Sequence, residues 1–598
     1  MPCDPHSHVQ HVERPDLSQL DSRAKDYSLC ASDGSRRTSE AISKPSILLK
    51  HFARDGLGQR LTHSLFAGRI ADMRYALWTL LSASLWACAP QAAVPANAPH
   101  TEAPTAHTEW KQVEPAKQKV ALVPEPAGVP PADAACQAYL APASATCAQE
   151  NSERDALVQA LDTSASLERD QRLSCLEASP GFSPGFVRTL RAELAPLTCA
   201  DVLALPFLEP RRAELDRRLE DTLIALSTAG RLARLVQKAP ELSPPFDRAH
   251  FMEFFQSTLK PWIVTQAAAI HDLSLAGPHL IPYAKGVVAV EAGLADMRFV
   301  SVVRQVALPK EMSDDPEVRD AYYAALDEAL EPRKARGRDA ALVGLRELAN
   351  EGIVFDPRVD HARALLSEVY SGRRIDALDK LLLPDLPALN ADTTERKLAA
   401  RLPSFYAGFL LDSAAVDAPL LRALLERGLP PVLAAQLDPK KLDEASKALW
   451  ARGRLDLGLM YFRAEDFARS ARLSATLKPS PEQALEHALA STLQNGPRDA
   501  SELLLRGPQL PIGTAQVAEL DRLAALPNSV APLAAFDAAY LLSLVPPQNN
   551  AKFWGDLAKR FDAAARTLRE PARKKLAHEL STAAKDTEKA LKAVPKSH

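Results

Sequence analysis

The chain is poor in several things that most functional classes need. Of 598 residues only 23 are glycine and 6% are aromatic, and β-branched runs are scarce. Strands draw on aromatic and β-branched residues, so a sheet protein is excluded. Neither charge is in surplus: 72 Lys and Arg face 75 Asp and Glu, a net charge of -3. With no bulk basic field, no nucleic-acid partner is expected. A phosphate-binding Gly-rich loop, a Gly-x-Ser-x-Gly elbow, a His-Glu-x-x-His pair and a calcium loop are all missing, so no cofactor, metal or catalytic residue is assigned. No apolar run reaches the roughly 20 residues that a helix needs to span a membrane.

What the chain has is Ala, Leu, Arg and Glu in quantity, 47 prolines and 46% hydrophobic residues. That much apolar content excludes global disorder, and the composition favours helix. From about residue 150 onward apolar residues recur at helical spacing, as in Leu215, Leu219, Leu223, Leu226 and Leu232, broken by short Pro and Gly punctuation. The predicted fold is all-α: stacked helical hairpins, α-solenoid-like, preceded by a disordered N-terminal leader and a Pro/Ala-rich spacer.

Several helices announce their first residue. Asp315-Pro316, Asp356-Pro357, Asp438-Pro439 and Ser480-Pro481 each precede an apolar helical stripe. Asp or Ser accepts a hydrogen bond at the N-cap, and Pro at the first helical position needs no donor. Ser480 with Gln483 forms a capping box. Gly286 and Gly293, seven residues apart on the stretch 281–306, predict close helix packing rather than a cofactor site. The cluster Arg333, Lys334, Arg336 and Arg338 reads as a charged interhelix loop. The basic last segment reads as a capping helix with a solvated face.

Residues 73–90 are a different kind of segment. Arg74 precedes an apolar run from Tyr75 to Ala87, closed by small residues and Cys88. That is the layout of a secretory signal. Leu85-Trp86-Ala87-Cys88 resembles the lipobox of bacterial lipoproteins. The resemblance implies cleavage before Cys88, a lipid on its sulfur and, with Ala89 following, outer-membrane sorting. On this reading residues 73–87 are the signal peptide, Met73 is the start, and residues 1–72 are translated from upstream. Residues 88–135 are the anchor and a Pro/Ala-rich tether, which extends rather than packs.

Cys136, Cys147, Cys175 and Cys199 follow the tether, and no cysteine occurs after them. An even, clustered set in an exported chain predicts two disulfides. Three pairings are open, of which Cys136–Cys147 with Cys175–Cys199 is the simplest. The gaps do not have the Cys-x2-4-Cys spacing of zinc sites. These cysteines define a helical subdomain, 136–210, ahead of a repeat-like domain, 211–598.

The caps at 316, 357, 439 and 481 are separated by 41, 82 and 42 residues, with one unmarked unit near Leu398. The period and the Asp-Pro-x-Val-x-x-Ala opening resemble HEAT repeats. Leu457-Gly458-x-x-Tyr461 with Phe467 and Ser470 resembles a tetratricopeptide unit. Both resemblances imply stacked hairpins, whose use is commonly protein binding. The expected function is therefore an envelope-anchored lipoprotein that serves as an interaction or scaffold module for an envelope protein or peptide. The alternative is a cell-envelope hydrolase with a helical catalytic domain, which a groove holding a pair of buried acids would favour.

Overall fold

The computed structural model describes residues 128–140 and 152–593, apart from 307, 309–312, 355, 371–373, 386–401, 411–417, 435–436 and 507–516. Cys88, Cys147, the signal segment and the unit near Leu398 lie outside the described residues. Every regular element among the described residues is helical, and no strand occurs there. The fold is all-α, and the described residues fall in one compact unit.

The principal helices, in chain order, are α1 (Glu153–Asp162), α2 (Ser166–Ser174), α3 (Phe186–Leu194), α4 (Ala200–Arg211) and α5 (Arg217–Gln237). Next come α6 (Lys260–Ala276), α7 (Pro282–Gln305), α8 (Pro316–Asn350) and α9 (Pro357–Val369). The C-terminal part contains α10 (Glu444–Tyr461), α11 (Ala464–Ser474), α12 (Pro481–Leu493), α13 (Ala531–Leu544), α14 (Ala551–Thr567) and α15 (Pro571–Ala593). Most of these pack on the helix before or after them in the chain, as α10 on α11, α11 on α12 and α14 on α15 do.

The starts follow the cap chemistry. Asp315 accepts from the amides of Glu317 and Val318, Asp356 from that of Arg358, and Ser480 and Gln483 close a capping box. Asp438 behaves differently. It opens a single 3-10 turn, Pro439–Lys441, and α10 starts instead behind Asp443, which accepts from Ser446 N at 2.6 Å. Two adjacent Asp caps compete here, and the one abutting the long apolar stripe sets the helix. The openings at 315 and 356 start helices of 35 and 13 residues, so equal cap spacing does not mark equal units.

The central crossing is α7 against α8, where glycines let the backbones touch. A Cβ at Gly293 would lie 2.5 Å from Ala341 N, and one at Gly344 would lie 2.6 Å from Val290 N. The seven-residue spacing of Gly286 and Gly293 is thus a packing device. Helix α7 also packs on α5, α6 and α9.

The basic cluster at 333–338 is not a loop. It lies inside α8, which runs through Pro332 without a break. A proline there costs about 3 kcal/mol, but continuing the helix lets Arg333 and Arg336 both reach the buried Asp296, at 3.3 and 2.6 Å. Arg333 also lies 3.9 Å from the centre of the Phe299 ring. Burial lowers its pKa to about 10, with Asp296 opposing that shift. Lys334 sits over Tyr370, and Arg338 pairs with Asp339. In the last segment, α15 packs on α14 through buried Ala577, Ser581 and Ala584, and its lysines face outward, Lys585 reaching Asp562 at 2.8 Å.

Candidate recognition cleft

The disulfide pairing differs from the simplest reading. Cys136 is bonded to Cys199, not to Cys147. Cys175 is also disulfide-bonded. Nearest-neighbour pairing fails because buried Cys199 ends a 3-10 turn, Leu197–Cys199, that Cys136 reaches, its Sγ lying 3.8 Å from Thr198 O. That turn is pinned a second time. Arg234 of α5 donates to Thr198 O at 2.7 Å, to Pro130 O at 3.1 Å and to both oxygens of Asp201.

The pinned turn is one wall of a cleft of about 890 Å³, a size suited to a drug-sized ligand or a short peptide segment. The end of α5 (Val236, Gln237) and the Pro-rich loop after it (Leu242, Phe246) continue that wall. Opposite, α7 contributes Glu291, Leu294, Arg298, Ser301, Val302 and Gln305. These positions lie at i, i+3, i+7, i+10, i+11 and i+14, one stripe of a helix. The start of α9 closes the site with Arg358, His361 and Leu365.

Three groups carry its electrostatics. Arg358 is tied in place: its Nη2 donates to Asp356 Oδ2 (2.6 Å), Glu193 Oε1 (2.6 Å) and Tyr283 Oη (2.7 Å), and Tyr283 Oη in turn donates to Glu193 Oε1 (2.6 Å). Burial disfavours its charge, but Asp356, Tyr283 and Glu193 outweigh burial and hold it protonated. This network fixes the first turn of α9 against α3 and α7.

Arg298, in contrast, has no carboxylate partner among the described residues. Its Nη2 donates to His361 Nε2 at 2.7 Å. Partial burial and the neighbouring guanidinium hold His361 below the usual histidine range. A neutral imidazole with Nε2 as acceptor matches that geometry.

Glu291 is the third. It is only 5% exposed and lines the cleft, and among the described residues no donor reaches its carboxyl. Burial pushes its pKa up to about 7, against the pull of Arg298 and Arg358 and with a small push from Asp356. A buried carboxyl of raised pKa that also lines a cleft makes this the candidate site.

Sequence reasoning did not single out Glu291, Arg298, Arg358 or His361 for this site. The available signal was the polar set at i, i+7 and i+14 on an otherwise apolar helix. His271 and His279, which flank the Gly277-Pro278 break, join no metal-type cluster among the described residues. No helix there is long and apolar enough to cross a membrane. The chain matches no protein-family model, no curated protein and no solved structure.

Proposed function

We propose that this chain is an exported, lipid-anchored envelope protein whose helical body recognises a segment of an envelope protein or peptide. The anchor is Cys88, and residues 89–135 tether the body to an outer membrane facing the periplasm or the exterior. The observation that carries the recognition reading is the cleft: apolar walls from α5, α7 and the 239–247 loop and, inside, an Arg298 guanidinium that has no salt bridge among the described residues. Mixed apolar and convergent polar lining is the usual make-up of a ligand site. The alternative of a hydrolase draws on the raised pKa of Glu291. A glycosidase-type site needs a second carboxyl across the cleft, and the other lining carboxyl, Glu241, is exposed on the loop. One buried acid in place of a pair favours recognition.

Two measurements test this. Mass spectrometry of the native protein is expected to find a lipid-modified N-terminus at Cys88; a peptide from residues 1–72 overturns the anchor. A photo-crosslinking residue at half-buried Ser301 is expected to give, in cells, a discrete protein or peptide adduct that Arg298→Glu abolishes. Loss of a glycan or peptide bond on incubation with purified protein, and no adduct, overturns recognition in favour of hydrolysis.

A further inference from the structure

Resting on that reading, the chemistry of the occupant follows from three side chains. Arg298 forms no salt bridge among the described residues; Glu291 acts on it only through space, and its one hydrogen bond is to an imidazole nitrogen that accepts from it. Such a group is left with donors free for an anion of planar, two-oxygen shape. Two helical turns toward the N-terminus on the same stripe lies Glu291, buried and without a hydrogen-bond partner. Side chains on a helix lean toward its N-terminus, so Arg298 reaches in the direction of Glu291. Between and beside them the walls are apolar: Leu294, Val302, Leu365 and Phe246, the last 39% exposed.

We propose that the cleft binds the free C-terminus of a peptide segment. The terminal carboxylate sits on Arg298, the amide one residue before it meets the Glu291 carboxyl, and the terminal side chain is apolar. A carboxylate alone would bring Glu291 no donor, and an internal loop of a partner would need an acidic side chain to meet Arg298. A chain terminus offers both groups at adjoining positions. Phe246 then packs on the terminal side chain.

The charges facing Glu291 are few. Arg298 lies on its own helix, Arg358 and Asp356 come from α9, and His361 follows one turn further on. The α5 end, the 196–198 turn and the loop contribute only the exposed Glu241. On the α8 side the charges of α7 are already paired, Lys285 with Glu347 and Asp296 with Arg333 and Arg336. An ionised Glu291 sets a second negative charge beside the incoming carboxylate. Binding is therefore expected to weaken as pH rises from 6 to 8.

The test uses purified protein and a hexapeptide library with Leu, Val or Phe last, prepared once as free acids and once as C-terminal amides, read by affinity-selection mass spectrometry. The expected result is retention of free acids only. For the best binder, Arg298→Ala is expected to lose about ten- to a hundredfold in affinity, the worth of a hydrogen-bonded charge. Glu291→Gln is expected to remove the pH dependence. Equal retention of acids and amides, or retention of neither, overturns the proposal, as does an unchanged affinity in Arg298→Ala. If Ser301 still crosslinks an envelope partner in cells while the library shows no acid preference, this inference falls and the recognition reading stands. If both fail, both fall.

Discussion

Replacing Gly293 by alanine adds one methyl where two helices touch backbone to backbone. The new Cβ would lie 2.5 Å from Ala341 N, 2.6 Å from Gly337 O and 2.7 Å from Ala341 Cβ. None of these atoms ends a flexible side chain, so α7 and α8 must separate by most of an ångström. Gaps of about 0.5–1 Å forfeit a quarter to a half of each dispersion contact, and this crossing is long, with Gly286 against Leu348 at one end and Asp296 against Gly337 at the other. Overpacking of this kind costs about 3 kcal/mol, the upper end of its range. Alanine returns about 1 kcal/mol of helix propensity, which leaves a net loss of about 2 kcal/mol. Gly555 on α14 is the matched control. A Cβ there would meet only the carboxyl end of Glu588, at 2.8–3.0 Å, which can swing away. Its bond to exposed Lys592 is a surface pair worth about 0.3–0.5 kcal/mol. Gly555→Ala is then neutral or stabilising by about 0.5 kcal/mol. Urea denaturation of both variants beside the parent protein measures the difference. A Gly293→Ala protein at least as stable as the parent, or one less damaged than Gly555→Ala, refutes backbone contact as the basis of the crossing.

Three further outcomes are expected. Peptide mapping without reductant is expected to recover Cys136 linked to Cys199; the bond closes a separation of 63 residues, so Cys136→Ala with Cys199→Ala costs about 4 kcal/mol on the chain-entropy account. Asp466→Ala is expected to cost about 3–5 kcal/mol because it strands fully buried Arg454, 2.7 Å away, whereas Arg172→Ala, which breaks an exposed i,i+4 pair with Glu168, changes stability by under about 0.5 kcal/mol. Glu291→Gln is expected to be pH-selective: the folded carboxyl titrates about 7 rather than 4.5, so its contribution is fully present below pH 4.5 and is lost as pH rises through 7. Removing it therefore stabilises the protein by up to about 3 kcal/mol at pH 8 and by little at pH 4.5; a difference between variant and parent that is flat with pH contradicts the burial of an unpaired acid.

The helical class was legible because it depends on local quantities. Cap residues, apolar period and proline position lie within one turn of each other, and the starts at 316, 357 and 481 follow them. Gly286 and Gly293 were legible as packing for the same reason, since their spacing lies on one helix. Non-local matters were not. The pairing of Cys136 with Cys199 depends on Cys136 reaching a turn some sixty positions later. The 333–338 cluster read as a charged loop, and only the buried Asp296 on another helix explains its place inside α8. The cleft is the extreme case. Glu291 and Arg298 gain meaning from His361, Arg358 and Asp356, which the chain brings near only after α8 has crossed α7.

That arrangement also explains why Glu291 is the informative residue of the cleft. Its neighbours on the stripe, Leu294 and Val302, show that apolar side chains fit the same wall. A carboxyl there gains only a through-space pull from Arg298 and Arg358 in the free protein, because Arg358 is bonded to Asp356 and Glu193 and Arg298 to His361. Above pH 7 it costs the fold about 3 kcal/mol relative to a neutral isostere. The surroundings are stiff enough to hold that cost: the wall opposite is pinned by a disulfide and by Arg234, and α7 is locked to α8 through glycine contacts that leave no slack. On the proposed recognition reading, a cleft with a buried acid and a guanidinium bonded only to His361 is preorganised for a ligand that brings a donor and a carboxylate. A free protein with nothing to bind would be more stable with glutamine at 291, and the pH-dependent gain of Glu291→Gln measures how far the cleft is held ready.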